Sequence, residues 1–218
     1  MSVGIESVID GVRLFKHEVF DSQKEQFSAL SQGQSPQVLL VTCSDSRIVP
    51  QLITQTQPGD LFVLRNAGNI LPPHGANHGG EEATIEYAVT ALGIRHIVIC
   101  GHSHCGAVKG LLSAPQDLAG MPSVASWLVY AEATKRAVAE THAGLEGDAR
   151  LLAAIKENVI VQIANLLTYP AVFARHARGE LMIHGWVYLI ETGEVLAYDW
   201  KSRTFRGLAR PVAEGSGA

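Results

Sequence analysis

Cysteine is scarce here: three residues in a chain of 218. That count is too low and too odd for a disulfide-stapled secreted scaffold. Neither sign of charge dominates. Seventeen Lys+Arg stand against 21 Asp+Glu, a formal net charge of -4, so nothing in the charge balance suggests a nucleic-acid partner. Charged residues make up only 17% against 47% hydrophobic, which excludes a disordered chain. No apolar run approaches the roughly 18 residues that a membrane helix needs. The opening MSVGIESVIDGVRLFKHEVF interleaves charges with its apolar side chains, unlike a secretory signal. What remains is the composition of a soluble, cytoplasmic domain large enough to bury a core.

Neither internal repeats nor low-complexity stretches interrupt the chain. Val3, Ile5, Val8, Ile9, Val12, Phe15, Val19 and Phe20 recur at helical spacing, so residues 3–30 predict one or two amphipathic helices. Gln32 to Pro36 predicts a turn. Val38 to Thr42, Leu61 to Leu64 and His96 to Cys100 are short continuous apolar runs, the mark of parallel strands buried on both faces. Residues 71–80, LPPHGANHGG, predict a long irregular loop. Glu81 to Leu92 predicts a helix with acids in its first turn and Gly93 as its stop. Further helices are expected at 105–112, 123–140 and 149–168. Leu181 to Leu189 and Val195 to Trp200 flank a turn and predict a hairpin. Strands alternating with helices give one α/β domain with a mainly parallel central sheet, an antiparallel edge strand and flanking helices. Its parts are a helical arm over 1–30, an α/β core over 31–200 and a tail over 201–218.

Two motifs carry the chemistry, and each begins where a predicted strand ends: Cys43-Ser44-Asp45-Ser46-Arg47 and Gly101-His102-Ser103-His104-Cys105-Gly106. In parallel α/β sheets the carboxyl ends of the strands are where ligands bind. If the two strands are neighbours, two thiolates, an imidazole and a carboxylate share one crevice, a donor set suited to zinc. His102 and Cys105 lie three apart, on one side of a tight turn entering a helix, whose N-terminus would favour Cys105 as thiolate. Other readings stand beside this one. Cys43 and Cys105 could be paired in a disulfide, unfavourable in a reducing compartment. The zinc could be structural, although such sites usually carry four Cys or His ligands. A Cys-dependent phosphatase would need Arg six residues after its Cys, and neither Cys43 nor Cys105 has one. Cys100, inside an apolar strand, reads as a core side chain. His104, His74 and His78 read as surface or packing residues.

CSDSR followed about 55 residues later by GHSHCG resembles the β-class carbonic anhydrases. So do Gln34-Ser35-Pro36, Pro58-Gly59-Asp60-Leu61-Phe62, Arg65-Asn66-Ala67-Gly68-Asn69, Glu86-Tyr87-Ala88 and His184-Gly185-Trp186-Val187-Tyr188, in matching order across roughly 5–200. The resemblance implies one zinc per chain, held by Cys43, His102 and Cys105, with Asp45 or water in fourth place. It implies reversible hydration of carbon dioxide to bicarbonate by zinc-bound hydroxide. Asp45 and Arg47 match the dyad with which the family gates the site. Gln34, Phe62, Ala67, Tyr87 and Gly106 match the substrate pocket, and His74 or His78 could pass protons outward. A homodimer or homotetramer is implied, the N-terminal helices packing on a dimer partner, with neither nucleic acid nor membrane as partner.

The chain departs from family patterns in places. Plant-type members carry Val at the position of Ala67. A branch regulated by a second bicarbonate site has Trp and Gly at the positions of Leu40 and Thr42; only Tyr188 matches its third residue. The expectation is therefore the open type, with Asp45 paired to Arg47 and water on zinc near neutral pH. Two alternatives share the motifs: a carbon disulfide or carbonyl sulfide hydrolase, and a zinc protein without catalysis.

Overall fold

Residues 4–208 are described by the computed structural model, in two units that meet in sequence between Ser35 and Pro36. In the first, helical spacing of apolar residues yields α1 (Ile5–Leu14), which continues through a widened turn over Phe15–Phe20, and α2 (Lys24–Leu30). Phe27 closes this unit on itself, edge-on to Phe15 and stacked on Phe20. Ile5, Val8, Val12 and Phe15 are exposed. The predicted start at Val3 lies outside the described residues.

The second unit is built on six strands: β1 (Val38–Cys43), β2 (Leu61–Asn66), β3 (His96–His102), β4 (Met182–Tyr188), β5 (Val195–Asp199) and β6 (Thr204–Gly207), in the order β2-β1-β3-β4-β5-β6. β2, β1, β3 and β4 run parallel; β5 and β6 are antiparallel. Around the sheet are α3 (Pro50–Thr54), α4 (Gly80–Glu86, running on through Ala91), α5 (Gly106–Leu112), α6 (Pro122–Leu128), α7 (Glu132–Thr141), α8 (Gly147–Leu166) and α9 (Pro170–Ala177).

The expected mainly parallel α/β sheet is therefore present, with corrections at its margins. The antiparallel edge holds two strands, because residues 204–207, placed in the tail by sequence, form β6; its Thr-Phe-Arg-Gly has only one apolar residue and so gives no strand signal. The rest of the tail, 209–218, lies outside the described residues. The helix expected over 123–140 is broken by a tight turn at Val129–Ala131. The short α3 and the Pro-led α9 were not anticipated.

The core lies on one face of the sheet. Leu39, Val41, Ile97, Ile99 and Val187 meet Ile155, Val159, Ile163 and Leu166 of α8. α8 comes so close that a Cβ on Gly185 would stand 2.9 Å from Val159 Cγ1. On the other face Leu40, Val98 and Cys100 form a smaller cluster. The order β2-β1-β3 means that the chain leaves β1 to one side and returns on the other. The ends of β1 and β3 thus open a crevice at a topological switch point, where ligands bind in such folds.

Candidate metal centre

Cys43 is the last residue of β1 and His102 the last of β3. A turn through Ser103 and His104, the latter with φ +57°, brings Cys105 back as the residue capping α5. One donor atom from each of Cys43, His102 and Cys105 lies within 4.8 Å of the others, and all three side chains are buried. His102 Nδ1 is 2.8 Å from the Ser103 carbonyl. A carbonyl only accepts, so Nδ1 carries the proton and Nε2 its free lone pair. That Nε2 is buried without a hydrogen-bond partner. A buried orphan acceptor facing two thiols is an expensive arrangement by itself and the donor set of a thiolate-rich metal site.

Ionisation of either buried thiol opposes ionisation of the other. Cys43 is drawn down to about 4, first by the Cys105 thiol, against burial, then by His102 and the backbone N–H groups of Gly68 and Asp45. Cys105 is pushed up by the neighbouring Cys43 and by burial. The sequence predicts that the start of α5 favours Cys105 as thiolate. The N–H groups of Ala107 and Val108 pull that way, but less strongly than Cys43 opposes. All three cysteines are free, so Cys43 and Cys105 form no disulfide. Cys100 is buried and pushed up to about 12 by desolvation, a core residue as expected.

Arg47 grips Asp45 with a two-pronged fork, Nε to Oδ1 at 2.9 Å and Nη2 to Oδ2 at 2.8 Å, and its backbone N–H adds a third bond to Oδ1. The fork holds the Asp45 carboxyl well below the usual carboxylate range. Arg47 Nη2 also donates to the His104 carbonyl, tying the two motifs together. Asp45 Oδ2 stands 3.9 Å from His102 Nε2. Asp45 is thus paired with Arg47, as expected.

Of the other predicted positions, Phe62 and Tyr87 pack together with ring centres 5.9 Å apart. The Ala67 carbonyl accepts from Trp127 Nε1, and Gly106 follows Cys105 as the first residue of α5. Gln34 is exposed in the first unit. His74 and His78 bracket Glu82, at 3.3 and 3.4 Å. Thr42 is buried and donates to the Cys100 carbonyl.

Sequence reasoning assigned no role to several residues that touch the centre. Gly68 donates its N–H to Cys43 Sγ at 3.4 Å. Arg65 donates to the carbonyls of Cys43 and Asp45. Ser103 donates to Glu191 at 2.6 Å and accepts from the Ile190 N–H, pinning the ligand turn to the β4–β5 hairpin. Arg65 and Gly68 stand in a segment that resembles the family; the use of a backbone N–H leaves no signal in a sequence.

The carbonic anhydrase family model matches residues 38–195. The carbonic anhydrase of Synechocystis sp. is 51% identical over 195 residues, 89% of this chain and 71% of that protein. That of Pseudomonas aeruginosa is 46% identical over 205 residues, 94% of this chain and 92% of that protein. Among solved structures, the beta-carbonic anhydrase CcaA gives a TM-score of 0.92 at 48% identity, covering 95% of this chain and 93% of that one. A tetrameric beta-carbonic anhydrase from Sordaria macrospora gives 0.80 at 30% identity, covering 94% and 98%. With the switch-point crevice and its Cys-His-Cys donor set already in place, these likenesses make the chain a member of the carbonic anhydrase family, in its β class.

Proposed function

We propose that this carbonic anhydrase interconverts carbon dioxide and bicarbonate with one zinc ion held by Cys43, His102 and Cys105, and that Asp45 and Arg47 gate and orient the reaction there. The observation that carries the reading is the convergence of two thiols on a buried, unpartnered His102 Nε2. Zinc in such a site supplies a hydroxide nucleophile near neutral pH and a Lewis acid. The chain does the rest. Ser103 fixes the His102 tautomer through its carbonyl. The Arg47 fork keeps Asp45 ionised and turned to the guanidinium, so that Asp45 stays off the metal and its Oδ2 can accept a proton donor beside His102. Phe62, Tyr87 and Ala67 provide apolar walls for a small neutral substrate.

The Sordaria macrospora relatives are tetrameric. We propose a homodimer or homotetramer here too, in which a second copy covers the exposed apolar side chains of α1. Light scattering of the purified chain tests this, a monomer at all concentrations being the contrary result.

The catalytic reading is tested by stopped-flow hydration with a pH indicator, alongside metal analysis. Zinc near one per chain with rapid hydration is expected. Zinc without hydration at about pH 7 to 9 overturns it, and turnover of carbon disulfide or carbonyl sulfide in its place selects a hydrolase on the same scaffold.

A further inference from the structure

α8 carries a polar stripe inside an otherwise apolar packing face. Asn158, Gln162 and Asn165 recur at four- and three-residue spacing, beside Ile155, Val159, Ile163 and Leu166. Asn158 and Gln162 are buried, and a buried amide is retained only where its hydrogen bonds are met. Here they are, and they lead to the metal centre. Asn158 Nδ2 donates to the Gly68 carbonyl at 3.0 Å. Asn158 Oδ1 accepts from Gln162 Nε2 at 3.0 Å and from Thr134 Oγ1 at 3.3 Å, which fixes the way the amide points. Gly68 in turn donates its N–H to Cys43 Sγ at 3.4 Å. Gly68 sits at φ +82°, and a Cβ there would stand 2.9 Å from Ala107 Cβ, so the residue is held tightly, with its N–H and its carbonyl in two successive peptide groups that are each tied down. Gln162 and Asn165 hold a different residue, Gln162 accepting from the Leu71 N–H and Asn165 donating to the Leu71 carbonyl.

We propose that Asn158 is a positioning residue for the metal centre: by gripping the Gly68 carbonyl it aims the Gly68 N–H at Cys43 Sγ and so limits how much charge that thiolate gives to the metal. This rests on Cys43 being a zinc ligand. A hydrogen bond to a metal-bound sulfur withdraws electron density from it and leaves the metal a stronger acid. The reaction needs that acidity, and two thiolates work against it. Asn158 is thus set to offset part of the cost of the Cys-His-Cys donor set without touching metal or substrate.

The test uses the full chain loaded with cobalt(II), whose thiolate charge-transfer band in the near ultraviolet reports the electron density on sulfur. Asn158→Leu, close in shape and without a donor, is expected to move the band to longer wavelength and lower hydration activity about 10-fold or more. Thr134→Val, which only loosens the amide, is expected to move it less, in the same direction; it also serves if Asn158→Leu folds poorly. Asn165→Leu removes a partly buried amide from the same helix without touching Gly68 and is expected to leave the band in place. In the cadmium-loaded protein, scalar coupling between the Gly68 amide proton and the metal is expected in the unaltered chain and reduced in Thr134→Val. An unmoved band in both Asn158→Leu and Thr134→Val, or an equal shift in Asn165→Leu, overturns the proposal. Absence of any thiolate band in the unaltered chain overturns the ligand set and this proposal with it.

Discussion

Arg47 reaches back two residues to hold both oxygens of Asp45, at 2.9 and 2.8 Å, while the same guanidinium donates to the carbonyl of His104 in the other motif. One side chain therefore sets the direction of the carboxylate and braces the turn that carries His102 and Cys105. Arg47→Ala is expected to leave zinc bound, because none of its donors is a proposed ligand, and to lower hydration about 10- to 100-fold. Arg47→Lys should recover little, since an ammonium cannot reproduce the fork. Metal content and stopped-flow rates on the same samples check this; loss of zinc in Arg47→Ala would mean that the residue chiefly supports the fold.

The three cysteines should separate cleanly. Cys43→Ser, Cys105→Ser and His102→Ala are each expected to lose both zinc and activity. Cys100→Ala should keep both at a cost of about 1 kcal/mol of stability, since its buried thiol is pushed up to about 12 and packs with Leu40 and Val98. Inductively coupled plasma metal analysis with urea unfolding distinguishes the two outcomes.

At Gly185 the side chains of α8 leave no room for a Cβ, which would stand 2.9 Å from Val159 Cγ1. Gly185→Val should destabilise the chain by about 1–3 kcal/mol through overpacking against Val159 and Ile163. Denaturant midpoints measure it. A neutral result would show that α8 can move away freely, which also bears on how firmly Asn158 is held.

His96 Nδ1 and His184 Nε2 lie 3.1 Å apart at the start of β3 and on β4. Burial, and then the neighbouring His96, hold His184 below its ordinary 6.5. A depressed histidine favours the neutral form in the folded state. Its contribution is present above about pH 6.5 and is lost as pH falls toward the folded value. His184→Gln is expected to flatten the loss of thermal stability between about pH 7 and 5; an unchanged slope in that window contradicts the assignment.

Much of the centre was legible in the linear chain. Cys43, His102 and Cys105 stand at the ends of uninterrupted apolar runs, and such runs become buried parallel strands whose carboxyl ends face a common crevice. The alternation of strands and helices likewise determined the class of fold. Only the tertiary structure decided that β1 and β3 are neighbours across the switch point, without which the motifs would not meet. It also decided which groups surround the two thiols, the Gly68 N–H and the buried His102 among them. β6 and the pairing of Asn158 with Gly68 were hidden for the same reason. A strand of mixed polarity and an amide in the middle of a helix acquire meaning from partners 5 to 11 and 90 residues away, and periodicity within either segment cannot report those.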